Sequence, residues 1–142
     1  MNPTFARPVS TLAALIALTG SAAACTSGHP AGPPPEVLPS AAAFHTGACR
    51  DSAPAVLAVA QLAARYRGKK TIPAADRKKL AEHQTVLATQ AKTAAEQVKK
   101  PLADLVTSIG FVRLRYASRS YDPTVLDHMD SARKAVQKAC TG

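Results

Sequence analysis

The sequence predicts an all-α protein: a small antiparallel bundle of three to four helices, or a long helix kinked at a proline with two shorter helices packed on it, behind an N-terminal signal and a disordered tether. Three observations carry that expectation. From Cys49 onward no alternation of apolar and polar residues with a period of two persists. The same stretch is dominated by Ala, Leu, Lys, Arg and Gln, which lose little freedom on entering a helix. Its apolar residues recur in steps of three and four, the spacing of one helix face. With 142 residues the chain allows one such domain and a tail.

Residues 1–24 read as a secretory signal. Arg7 and the amino terminus supply positive charge, Thr11 to Gly20 supply an apolar run of leucines and an isoleucine among alanines, and small residues follow from Ser21 to Ala24. The apolar run is about half the ~20 residues a membrane-spanning helix needs. Ala22 and Ala24 satisfy the small-x-small pattern of an ordinary signal peptidase, which would release a free secreted protein beginning at Cys25. The same residues resemble a bacterial lipobox, in which small residues precede a cysteine that is acylated; Ala22 stands where that motif most often has leucine. The chain has three cysteines, an odd number for an exported protein. If Cys25 carries lipid, Cys49 and Cys140 remain as one disulfide.

Residues 25–48 read as a lipid-anchored, Pro-rich linker. Pro30, Pro33, Pro34, Pro35 and Pro39 favour polyproline II, and at ~3.1 Å per residue the segment reaches on the order of 70 Å when fully extended.

Residues 49–142 form the expected helical domain. The first helix is expected over about Ser52–Arg67, with Asp51 or Ser52 as N-cap, Pro54 in the first turn, Gly68 as the stop, and Val56, Val59, Ala60, Leu62, Ala63 and Tyr66 facing inward. The second begins near Pro73, after Thr71 as cap, and runs to about Lys99. Its Leu80, Gln84, Leu87, Ala91, Ala94 and Val98 form a seam of alternating fours and threes. The third starts at Pro101 and continues the seam through Leu102, Leu105, Ile109, Val112 and Tyr116. Because the seam keeps its phase through Pro101, the two segments read either as one helix kinked there or as two helices joined by a tight turn at Lys99 and Lys100. The fourth covers about Pro123–Ala139, capped by Asp122, and buries Leu126, Met129, Ala132 and Val136. Both arrangements bring Cys49 near Cys140. The core is rich in alanine, lacks Trp, and counts Phe111 and three tyrosines as its large aromatic material, so the disulfide is needed for stability.

Charge is the most informative functional feature. Once Arg7 is set aside with the signal, seventeen Lys and Arg face nine acids. Arg65, Arg67, Lys69, Lys70, Arg77, Lys78 and Lys79 flank the first turn, and Arg113, Arg115 and Arg119 lie near the end of the third segment. In a four-helix bundle the two clusters meet at one pole, opposite the disulfide and hence opposite the anchor. That pole suits an anionic envelope partner: a cell-wall polymer such as teichoic acid, an acidic glycan, phospholipid head groups or an acidic protein. It also complements helix C-termini and keeps the protein soluble. Nucleic acid is excluded by compartment and by the lack of aromatic residues interleaved with the charges.

Little points to chemistry. His29 and His45 lie in or beside the linker; His83 and His128 flank their helices' apolar stripes, and with Glu82 and Asp127 they carry ligand chemistry that suits zinc or copper but no ligand spacing. No metal site and no cofactor is assigned. Asp127 and Asp130 read as exposed partners for salt bridges. No G-x-S-x-G, H-E-x-x-H or Gly-rich phosphate loop occurs, so no catalytic residue is assigned and the protein is read as a non-enzyme.

The signal, the cysteine after "SAAA", the Pro-rich tether and the Ala-rich helical body closing in "KACTG" resemble the small envelope lipoproteins of high-GC Gram-positive bacteria. The resemblance implies a location on the outer face of the cytoplasmic membrane and a binding or interaction module. The alternative is a carrier or sensor of a metal, haem or a small apolar molecule. Cys49, Cys140 and the helical content also resemble the haem-carrier domains of mycobacteria, which implies Met129, His128 or Tyr116 as an axial ligand.

Overall fold

In the computed structural model, residues 36–120 and 122–142 are described. The expected signal, Cys25 and the linker up to Pro35 lie outside the described residues, as does Tyr121. Strong helix formers on a period near 3.6 become four helices: α1 (Ala48–Tyr66), α2 (Ala74–Thr93), α3 (Glu96–Ala117) and α4 (Thr124–Thr141). A 3-10 turn, Ala41–Ala43, precedes them. Helix α1 packs on α2 and α4, and α3 packs on the same two, which is the ring of an up-down-up-down bundle. Among the described residues there is no strand, and no helix is long and apolar enough to cross a membrane.

The inward faces follow the periodicity. Val56, Val59, Ala60, Leu62, Ala63 and Tyr66 of α1 are buried, as are Leu102, Leu105, Ile109, Val112 and Tyr116 of α3 and Leu126, Met129 and Val136 of α4. Helix α2 is the least embedded, with only Leu80 and Leu87 buried.

The junction between α2 and α3 differs from both expected forms. Neither Lys99 and Lys100 nor Pro101 marks it: α2 ends at Thr93, and Ala94 (φ −68°, ψ 148°) and Ala95 (φ −59°, ψ 152°) reverse the chain in extended conformation. Glu96 opens α3 with a negative charge at the positive end of the helix dipole, and the amides of Val98 and Lys99 donate to Ala95 O. Pro101 therefore sits inside α3. The amide it lacks would have bonded the carbonyl of Gln97, an exposed residue whose carbonyl can turn to water.

Helix starts shift for similar reasons. Helix α1 begins at Ala48, not Ser52, after Gly47, whose φ of 77° suits a residue without Cβ. Ser52 is buried and donates its hydroxyl to Ala48 O, so it is not a cap, and Pro54 falls in the second turn. Gly68 (φ 74°) ends α1 as expected. Pro73, not Thr71, is the N-cap of α2, and the amides of Asp76 and Arg77 donate to its carbonyl. Pro123 precedes α4, yet Asp122 still caps from one residue further back by accepting the Thr124 amide at 2.9 Å.

The largest correction concerns where the domain begins. The compact unit starts at Glu36, not Cys49. Phe44, assigned to the linker, is 1% exposed in the core, whereas Phe111, counted as core, is 56% exposed. Residues 36–47 form a strap. At its C-terminal end the His45 amide donates to Cys140 O at 2.8 Å, and Arg50 donates to Phe44 O and Ala42 O. At its N-terminal end Glu36 meets Arg133. Cys49 and Cys140 are joined across 91 residues of sequence, with Cα atoms 5.4 Å apart.

Candidate functional site

Two turns, 67–73 between α1 and α2 and 118–123 between α3 and α4, form the pole opposite the disulfide. Antiparallel packing carries the C-termini of α1 and α3 and the N-termini of α2 and α4 there. Tyr116 ties the two turns together by donating its hydroxyl to Lys69 O at 3.1 Å. Arg67, the C-cap of α1, adds a bridge to Asp130 of α4 at 3.4 Å. All ten cations of the two expected clusters therefore lie at or beside one pole, as the bundle alternative requires.

They are not equally available. Asp76 accepts a hydrogen bond from the Tyr66 hydroxyl and pairs with Lys79 at 3.4 Å and Arg65 at 3.7 Å. The Tyr66 hydroxyl holds the Asp76 carboxyl below the usual carboxylate range and is itself pushed up by it. Arg77 donates to Ile72 O at 2.9 Å, pinning the turn that buries Ile72. Arg113 donates to Gln84 Oε1 at 2.6 Å, and Gln84 Nε2 donates to Val106 O at 2.9 Å. That explains a polar residue on the α2 seam: its amide is satisfied at both ends against α3. Lys69 lies 5.9 Å from the centroid of the Tyr66 ring. Among the described residues, Lys70, Lys78, Arg115 and Arg119 make no side-chain hydrogen bond or ion pair, and all four are exposed. Arg115 acts on Asp122 only at longer range; the Thr124 hydroxyl and then its amide are the main reasons that carboxyl is lowered.

Arg119 has a second distinction. Its φ is 58°, the left-handed region usually given to glycine at a helix end. The Ser120 amide donates to Arg115 O and the Ser118 amide to Leu114 O, which closes the last turn of α3. An arginine is thus held at the tip of the pole in a conformation that favours glycine.

The sequence reading missed a second cluster. Arg133 is completely buried, donates to both oxygens of Glu36 at 2.7 and 3.0 Å, twice to Asp130 Oδ1 at 2.6 and 3.1 Å, and to Gln137 Oε1 at 2.8 Å. Lys134 adds ion pairs to Asp130 at 3.0 Å and Glu36 at 3.8 Å. Asp130, expected on an exposed face, is buried beneath this network. Burial works to raise its pKa, but the bonds from Arg133 and Lys134 outweigh burial and leave it lowered. The same bond from Arg133 lowers Glu36.

Three of the shallow surface grooves each carry one of the expected histidines. One of about 420 Å³ between α3 and α4 is lined by Ser108, Phe111, Asp122, Thr124, Val125 and His128. Another, between α1 and α2, carries His83 beside Arg65, Asp76 and Lys79. His83 and His128 thus line different grooves, and Glu82 and Asp127 do not join them: among the described residues no group of three or more His, Cys, Asp or Glu is placed to hold a metal. A third lies beside the disulfide and includes His45. Met129 and Tyr116 are packed in the core, apart from the His128 groove.

No family model, no curated protein and no solved structure matches this chain.

Proposed function

We propose that this chain is an exported, lipid-anchored binding module of a bacterial cell envelope, tied to the outer face of the membrane through Cys25 and presenting its basic pole to an anionic partner, without catalytic activity. The observation that supports this reading best is the pole itself. Ten Lys and Arg side chains gather around two turns, and four of them make no ion pair among the described residues. Each helix carries a cation in its last turn, Arg65, Lys92, Arg115 and Lys138, which complements its dipole; the ten at this pole exceed what two helix C-termini need.

Replacing Lys69, Lys70, Lys78 and Lys79 by Glu is expected to abolish salt-sensitive association with the native envelope. Unaltered association would overturn the anionic-partner reading. Incorporation of labelled palmitate tests the anchor separately; absence of label from the exported protein, or a mature mass without the diacylglyceryl increment, would sink the lipoprotein assignment.

A second reading, a carrier or sensor of a small apolar molecule, draws on the α3–α4 groove, where Phe111 and Val125 meet Ser108, Asp122 and His128. A carrier would copurify with its ligand, and a Phe111→Ser variant would lose it.

A further inference from the structure

The strap changes where the anchor meets the domain. If the linker joined the body at Cys49, the basic pole would stand farthest from the membrane. Instead the chain doubles back from the disulfide pole: His45 is bonded at Cys140, and Glu36 is bonded at Arg133, seven residues nearer the start of α4. At ~1.5 Å per residue Glu36 has climbed on the order of 10 Å along the bundle, toward the pole where Arg67 reaches Asp130. Only ten residues then separate Cys25 from Glu36, and the eleven steps span at most ~36 Å at ~3.3 Å per residue. With Cys25 as the proposed anchor, a tether of that length bounds how far Glu36 can stand from the membrane, and charge decides which end turns toward it.

We infer that the partner of the basic pole is the anionic phospholipid surface of the membrane that holds the anchor. This rests on the lipid-anchored, anion-binding reading above and names its partner. The geometry of the last two turns of α3 favours a bilayer over a soluble polyanion. Phe111 and Leu114 are 56% and 63% exposed, and with Arg115 and Ser118 they follow the i, i+3, i+4, i+7 spacing of one helix face. Val125 of α4 lines the groove beside Phe111. Arg115 shares that face and Arg119 follows at the end of the helix, both exposed, while Lys69 and Lys70 add exposed charge from the other turn of the same pole. An apolar pair beside exposed arginines that make no ion pair among the described residues matches an interface with head-group charge outside and acyl chain within. A cell-wall polymer offers the charge but nothing for Phe111 and Leu114. The strained backbone at Arg119 fits as well, since glycine there would relieve the strain and remove a cation from the tip.

The test uses the full chain with Cys25→Ser, so that no acyl chain is attached, and an environment-sensitive fluorophore on a single introduced cysteine, Ser118→Cys at the basic pole or Ala95→Cys at the disulfide pole. Vesicles of phosphatidylcholine with and without phosphatidylglycerol are the probe. The label at 118 is expected to shift to the blue only with phosphatidylglycerol, the shift should reverse in high salt, and the label at 95 should stay silent. Arg115→Glu with Arg119→Glu, or Phe111→Ser with Leu114→Ser, should each weaken the response roughly tenfold or more. These positions are exposed, and an unchanged far-ultraviolet spectrum and intact disulfide would exclude misfolding. A shift at 95 in place of 118, silence at both, or an equal, salt-insensitive shift on pure phosphatidylcholine would overturn the inference. Retention on immobilised polyphosphate separates the two levels. If the chain is retained while 118 stays silent on phosphatidylglycerol, the lipid surface is ruled out and the anionic-partner reading stands; if it is not retained either, both fall.

Discussion

Arg133 is the residue on which the domain's N-terminal boundary depends. Arg133→Ala leaves Asp130 buried with Lys134 and Arg67 only at its edge, and should cost about 3 to 5 kcal/mol, read as a shift in the denaturation midpoint. Glu36→Gln should cost only about 1 kcal/mol, because Glu36 is 41% exposed and water screens its pair. The pH dependence has a definite sign. Glu36 and Asp130 are both held below their ordinary values of 4.5 and 3.8, so their stabilisation is fully present above that range and is lost as pH falls through the lowered folded values. Thermal melts between pH 6 and pH 2.5 should show stability falling at the acid end, with a shallower fall in Glu36→Gln. None of this was legible in the sequence. Asp130, Arg133 and Lys134 show the i, i+3 and i, i+4 spacing of ordinary surface pairs, and what buries them is a residue 97 positions away. Phe44 lies outside the periodic stretches and carries no local sign of burial, whereas Phe111 lies within α3 but off its seam of Leu105, Ile109 and Val112, a phase that already turned it outward.

At the scale of elements, periodicity located the faces far better than the ends. Every residue expected on the inner faces of α1 and α3 is buried, since a stripe repeating every three or four residues has only one way to leave water. The ends depend on weaker signals. Prolines at 54 and 101 look like starts, because that is where a missing amide matters least, but each lies inside its helix. The start of α3 was marked by Glu96, an acid placed for the helix dipole, and its significance was hidden by the seam running on through Val98. Pro101→Ala should restore an amide for the Gln97 carbonyl and stabilise the protein by about 1 kcal/mol, the gain being limited by the freedom alanine adds to the unfolded chain. Urea denaturation checks it; a loss of stability would mean that Pro101 is required for the entry of α3 into the bundle.

At the scale of the whole molecule the disulfide and the strap close the same corner of the bundle. The core is largely Ala, Val and Leu, so the constraint matters: in the chain-entropy model a loop of about 90 residues is worth roughly 4 to 5 kcal/mol. Reduction should lower the Tm by roughly 15 °C or more, measured by calorimetry with and without reductant, and an unchanged melt would show that the bundle holds without the Cys49–Cys140 link. By itself the sequence determined the helical class, the inner faces and the gathering of its cations beside two turns, because composition and a 3.6-residue period are properties of a segment and its immediate neighbours. Only the tertiary structure decided that four helices form a bundle in place of a kinked one, that α2 and α3 part at Ala94 and Ala95, and that the strap beginning at Glu36 runs back toward the basic pole. Those outcomes turn on contacts between residues far apart in the chain, whose energies depend on burial and geometry that no local spacing records.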